Sequence, residues 1–184
     1  LNGTASLALG TAPTGNTAVS FPTNITGDCY ANFGTQYQTS MNYSTANLFC
    51  EMWVYGGNSV NGGLFAFGNT SARDLYFSFN NPNLGGYSFN SDGTNNSYGG
   101  LIPALNAWQH VAFSLQISGS NYILTTWLNG TRGTPTTVTS KTPRWISTNS
   151  FYIGGAPGGL GGIQGYIQDV RIVSGSAIPS GNFT

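Results

Sequence analysis

Ten charged side chains, one histidine and two cysteines carry nearly all the acid–base, metal-ligand and nucleophile chemistry open to this 184-residue chain. Glu51 is the single glutamate, and the aspartates are Asp28, Asp74, Asp92 and Asp169. Cleaving a glycosidic bond takes two carboxylates flanking it, one as acid and one as nucleophile or base. No second carboxylate follows Glu51 within a few residues, and the aspartates fall on separate segments, so a glycoside hydrolase is the less favoured reading. His110, in Trp108-Gln-His-Val, has no G-x-S-x-G elbow to serve and reads as a hydrogen-bonded strand histidine.

The richest mixture of rings and oxygen donors is segment 85–98, Gly85-Gly-Tyr-Ser-Phe-Asn-Ser-Asp-Gly-Thr-Asn-Asn-Ser-Tyr98. Rings can lie on the apolar faces of sugars while amides and carboxylates bond the hydroxyls, so Tyr87, Asn90, Asp92, Asn96 and Tyr98 are the candidate ligand-binding residues. Asp92, among amide and backbone oxygens, is also the candidate for calcium, a hard cation that takes oxygen ligands. No cofactor is required for either role, and Asn-Ser-Asp-Gly is also ordinary turn chemistry. Cys29 and Cys50 could close a loop with 20 residues between them, a bridge worth about 3 kcal/mol where geometry allows. The alternative is two buried thiols. Two cysteines and one histidine, scattered as they are, give no zinc spacing.

Charged residues make up 5% of the chain, against about 25% in an ordinary domain, and the net charge is zero. Arg73, Arg132, Lys141, Arg144 and Arg171 form no basic stripe, which argues against nucleic acid and against an anionic membrane surface as partners. Asn, Ser and Thr number 60 and Gly 27, so amides, hydroxyls and backbone must wet the surface. The 25 aromatic residues suffice for a core, and the length suits one domain over 1–184, with 1–15 as an extended N-terminal segment. No apolar run is long enough for a membrane helix. The start at Leu1 fits a removed leader or a piece of a longer polypeptide.

Helical periodicity is nearly absent, and short runs rich in Val, Ile, Phe, Tyr, Trp and Thr recur between turn residues. These predict strands at 18–21, 29–33, 48–55, 63–67, 74–79, 86–89, 109–117, 122–128, 150–154 and 165–173. A hairpin joins 109–117 to 122–128 through Ser118-Gly-Ser-Asn121, and Asn129-Gly130 supplies a further turn of the kind that needs positive φ. Segment 134–142, with Pro135, is an edge strand or loop, and the glycine-rich 154–162 is a loop without the lysine of a phosphate cradle. Apolar residues on both faces of 48–55 mark a central strand, and Trp145 caps the core beside Arg144. The sum is an all-β chain, a two-sheet antiparallel β-sandwich of the jelly-roll kind.

Seven segments in order carry a family resemblance: Ala18-Val-Ser-Phe21, Leu48-Phe-Cys-Glu-Met-Trp-Val-Tyr55, Gly63-Leu-Phe-Ala-Phe-Gly68, Trp108-Gln-His-Val-Ala-Phe113, Thr126-Trp-Leu-Asn-Gly130, Phe151-Tyr-Ile-Gly-Gly155 and Gly165-Tyr-Ile-Gln-Asp-Val-Arg-Ile172. From about residue 15 onward the chain resembles the concanavalin A-like lectin/glucanase superfamily, and most closely its laminin G-like modules. The resemblance implies a concanavalin A-like sandwich and a non-catalytic glycan-binding or adhesion module on a cell, virion or extracellular surface. It also implies that calcium is a possible ligand, and that Glu51 and Asp169 have scaffold roles as partners for buried backbone groups or for Arg171. The tail Ser174-Gly-Ser-Ala-Ile-Pro-Ser-Gly-Asn-Phe-Thr184 resembles the ending of phage-tail and secreted versions. A structural subunit of a fibre, virion or matrix is the alternative, because sheet edges with little charge are disposed to self-association or to contact with neighbouring domains of the same chain. Seven N-x-[ST] sequons, at Asn2, Asn24, Asn42, Asn69, Asn95, Asn129 and Asn182, are a modest excess over chance and fit an exported glycoprotein in a host that glycosylates asparagine.

Overall fold

Fourteen β-strands and no helix are found among the residues that the computed structural model describes, which are 6–8, 13, 15, 17–21, 30–37, 40–57, 62–68, 73–79, 87–91, 94–98, 101, 104–139, 145–155, 162–175 and 178–183. The strands form where β-branched and aromatic side chains fit a pleated, half-buried surface. In chain order they are β1 (Ser6–Ala8), β2 (Ala18–Phe21), β3 (Ala31–Gly34), β4 (Leu48–Gly56), β5 (Gly62–Gly68), β6 (Arg73–Phe79) and β7 (Tyr87–Ser91). There follow β8 (Thr94–Tyr98), β9 (Trp108–Ser118), β10 (Asn121–Leu128), β11 (Thr131–Arg132), β12 (Thr136–Val138), β13 (Ser150–Ile153) and β14 (Gly165–Ser174).

The strands make two antiparallel sheets, one ordered β1-β2-β14-β4-β9-β10-β11 with β12 also on β10, the other β3-β13-β5-β6-β7-β8. Each of the ten expected strands is present, its ends within two residues of the expectation. Asn129 and Gly130 take φ of 48° and 76°, the turn that joins β10 to β11, and β12 is the edge strand within 134–142. Within segment 85–98, β7 and β8 pair antiparallel, with Tyr87 opposite Tyr98 and Asn90 opposite Asn95. Asp92 lies outside the described residues, as do the side chains of Tyr87, Asn90, Asn95, Asn96 and Tyr98.

Between the sheets Phe65 of β5 meets Phe113 of β9 at 5.1 Å and Phe151 of β13 at 5.0 Å, and Phe77 of β6 meets Phe113 at 4.6 Å. Such ring pairs add about 0.5–1.5 kcal/mol each beyond the area they bury. Trp145 packs on Tyr43 and Phe67 at the rim of this core, as expected. On β4, Leu48, Cys50, Met52 and Val54 point into the core.

The expected Cys29–Cys50 bridge is not found. Cys50 is a free thiol, fully buried among apolar side chains with Phe113 and Ile172 as its register partners, while Cys29 lies outside the described residues. Burial pushes the Cys50 thiol well above its ordinary pKa, with the Glu51 charge adding to the effect, so it stays protonated and inert.

Two outcomes test this packing. Cys50 should resist iodoacetamide in the native protein and be alkylated on denaturation without reductant; alkylation that needs prior reduction would restore the disulfide. Gly165, at φ 152°, opens β14, and a Cβ there would stand 1.8 Å from the Tyr55 carbonyl oxygen. Gly165→Ala should therefore cost more than about 3 kcal/mol and lower Tm by roughly 6–12 °C. A melting temperature unchanged within about 2 °C would refute the close approach.

Candidate functional site

The outer face of the larger sheet is laid out by the registers of β14, β4 and β9. Tyr166, Tyr55 and Trp108 form one cross-strand row, and Gln168, Trp53 and His110 the next. The third holds Arg171, Glu51 and Ala112. Side chains on one face of a strand recur every second residue, so Arg171, three residues after Gln168, should point the other way. It does not, because between them β14 sets Asp169 and Val170 against the single residue Met52. Asp169 takes a φ of 50°, a conformation that Asp tolerates better than most residues. This bulge reverses the parity of the strand and brings Arg171 opposite Glu51 on the outer face. Asp169 itself sits exposed at the bulge.

Glu51, Trp53, His110, Asn129, Gly130, Arg171 and Phe183 enclose an open cavity of about 510 Å³. The chain's one glutamate, one histidine and one of its five basic residues thus meet in one place. Arg171 Nε donates to Glu51 Oε1, and His110 Nε2 lies 3.3 Å from Glu51 Oε2, so both carboxylate oxygens are engaged from within the protein. The Arg171 side chain is 62% exposed and that of Glu51 15%. The Arg171 guanidinium also stands over the Phe49 ring at 5.8 Å, within cation–π reach. Burial lowers the His110 pKa from its ordinary value, the Glu51 carboxylate raises it in partial compensation, and Arg171 lowers it again.

The turn and the tail supply the remaining walls. Asn129 N–H donates to the His110 carbonyl at 2.8 Å, and His110 N–H donates to Asn129 Oδ1 at 2.9 Å. Trp127 Nε1 donates to the Gly181 carbonyl at 2.9 Å, and Phe183 N–H donates to the Gly130 carbonyl at 2.9 Å. These bonds hold the tail across the outer face, where Phe183 packs on Phe49, Trp127 and His110 at ring distances of 6.0, 5.8 and 5.6 Å. Trp53 lies 5.4 Å from the His110 ring, and Tyr55, Trp108 and Tyr166 cluster beside it at 5.9–6.3 Å. The face therefore joins half-buried rings to a held ion pair.

The expected Glu51–Arg171 contact and the hydrogen-bonded strand histidine are both present. Trp53, Asn129, Arg171 and Phe183 were not picked out as a ligand site by sequence; the aromatic alternation of β4 was the one signal for it. Of the expected glycosylation sites, Asn24 and Asn69 lie outside the described residues, as does the side chain of Asn95. Asn42 and Asn129 each accept a backbone N–H through Oδ1. Among the described residues, no three His, Cys, Asp or Glu side chains gather as metal ligands. A second cavity of about 250 Å³ is lined by apolar residues such as Phe33, Val170 and Ile172, and Tyr37. It lacks the convergent polar groups that orient a polar ligand.

A profile of the concanavalin A-like lectin/glucanases superfamily matches residues 26–178. No curated protein matches at a significant level. Among solved structures, domain 4 of AbnA, a GH43 extracellular arabinanase from Geobacillus stearothermophilus, in complex with arabinotriose, is similar with a TM-score of 0.66 and 17% identity, over 97% of this chain and 79% of that one. The CBM40 of the Ruminococcus gnavus IT-sialidase, bound to α2,3-sialyllactose, gives 0.56 and 14%, over 73% of this chain and 78% of that one. The SAP-like pentraxin of Limulus polyphemus gives 0.54 and 13%, over 68% and 63%. At these identities the likeness is one of fold.

The lowered His110 pKa has a signed consequence for stability. As pH falls below the ordinary imidazole value of 6.5, the unfolded chain takes up this proton before the folded one does. The stability associated with neutral His110 is complete above that pH and is lost as pH drops through the lowered value. Tm should fall between about pH 7 and about pH 5, with part of the fall absent in His110→Gln; parallel profiles for the two proteins would contradict this.

Proposed function

The chain belongs to the concanavalin A-like lectin/glucanase superfamily, and from that premise we propose that it is a non-catalytic, extracellular glycan-binding module whose ligand site is the outer-face cavity between β4, β9 and β14. The observation that carries this reading is the half-buried ring of Trp53, which lines the cavity beside hydrogen-bonding groups that are already fixed in place. A sugar ring offers an apolar face for an aromatic side chain and a rim of polar oxygens, and the cavity pairs those two chemistries. Its volume suits one or two sugar units, within the ordinary range for ligand pockets.

The carboxylate inventory of the cavity supports binding without catalysis. Glu51 is the one acid among the lining residues, and both its oxygens are engaged, whereas glycosidic cleavage draws on two carboxylates flanking the bond. The similar domains lend support: one is a module of an extracellular arabinanase seen with arabinotriose, the other a CBM40 seen with sialyllactose.

Trp53→Ala should weaken oligosaccharide binding at least about tenfold, measured by calorimetry with the best ligand from a glycan array, while thermal melting shows the fold intact. Unchanged affinity in Trp53→Ala would exclude this cavity. The absence of binding to every glycan on the array, with ordered polymers in electron micrographs, would favour the structural-subunit reading instead.

A further inference from the structure

We infer that the sugar taken by this cavity is an acidic one, its carboxylate or sulfate group held by the outward nitrogens of Arg171 while Glu51 stays behind the guanidinium and aims it. This rests on the glycan-binding reading of the same cavity and goes further by naming the ligand class.

The argument is an account of which groups are still free to meet a ligand. Glu51 Oε1 is engaged by Arg171 Nε, and Glu51 Oε2 lies at bonding distance from His110 Nε2. Asn129 Oδ1 accepts from the His110 backbone, and the Gly130 carbonyl accepts from Phe183. Four acceptors around the cavity thus already face inward to protein donors. A guanidinium carries five N–H groups, of which Nε supplies one to Glu51, so the four on the two terminal nitrogens are left over from that bond. Exposure points the same way, because the cation is 62% exposed and the anion that holds it 15%.

Neutral sugar hydroxyls both donate and accept, and a rim of engaged acceptors wastes half of that capacity. A carboxylate or sulfate accepts only, and two parallel guanidinium N–H groups match it in geometry as well as charge. The guanidinium needs little reorganisation to bind, since Glu51 and the Phe49 ring already fix its position.

His110 sets how strongly the cavity favours an anion. The titratable and charged groups that face it are Glu51 from β4 and Arg171 from β14; Trp53, Asn129 and Phe183 bring no charge. With His110 neutral, the cavity carries one positive and one negative charge. Protonation adds a positive charge next to Glu51, and an anionic ligand then gains attraction. Affinity for acidic sugars should therefore rise as pH falls below 6.5, with neutral sugars unaffected.

The test uses matched pairs in calorimetric titrations: sialyllactose against lactose, trigalacturonate against its methyl ester, and a sulfated galactobiose against the unsulfated sugar. At least one acidic member should bind about tenfold or more tightly than its neutral partner. Which pair shows the difference separates carboxylate from sulfate. Arg171→Gln should bring that acidic member down to the affinity of its neutral partner, with the neutral partner's own affinity kept as the sign of an intact cavity, and His110→Gln should remove the gain between about pH 7.5 and about pH 5. Equal or weaker binding of every acidic member, or an Arg171→Gln protein that keeps the preference, overturns the inference. If neutral members bind in a Trp53-dependent manner, the glycan-binding reading survives that failure; if no member of any pair binds, both fall.

Discussion

The outer face of this sandwich depends on a single extra residue in β14. With Asp169 and Val170 set against Met52, the strand changes parity halfway along, and residues on both sides of the bulge share one face. Removing that residue would turn Arg171 toward the core, where an unpaired guanidinium costs several kcal/mol. It would also leave Glu51 facing His110 alone. The bulge thus separates an inert sheet face from one that carries a held cation beside aromatic rings. A left-handed Asp is the local cost of that arrangement.

Around the bulge, the scarcity of charge gains a physical meaning. Apart from buried Asp74, which accepts from Asn149 Nδ2, the interior is filled by ring pairs such as Phe65–Phe113 and by buried Leu64, Leu75 and Leu115. The surface is wetted by amides, hydroxyls and backbone. The few charges present can therefore act locally, with little competing field from the rest of the molecule. At the cavity, Arg171 and Glu51 hold one another, His110 adjusts the balance, and the tail residue Phe183 closes one wall.

Much of the fold is legible in the sequence, for reasons that lie in particular residues. Strand positions follow from β-branched and aromatic runs broken by Gly and Asn, and Asn129-Gly130 states its turn because few other pairs accept two positive φ values. The family motifs supply the order of the strands. The site is less legible. Period-two reading alone puts Arg171 and Gln168 on opposite faces, since nothing local announces the bulge. The contacts of Phe183 with Trp127 and His110 are long-range and leave no trace in spacing. Cys50 shows a similar limit: sequence separation allows a bridge and does not reveal that the inward face of β4 sets a free Cys50 thiol in the core. In segment 85–98 the backbone pairing of β7 with β8 is legible, because its residue types suit a hairpin, while its side chains lie outside the described residues.

The central claim is that glycan lands on the outer face of the larger sheet, over Trp53 and the bulge-aimed Arg171. Amide and indole chemical-shift mapping by NMR during titration with a bound oligosaccharide tests it most directly. The account predicts shifts concentrated at Glu51, Trp53, His110 and Arg171, with the Trp53 indole signal moving and that of Trp145, packed on Tyr43 and Phe67, standing still. Shifts centred instead on the β7–β8 hairpin around Tyr87 and Tyr98 would contradict it.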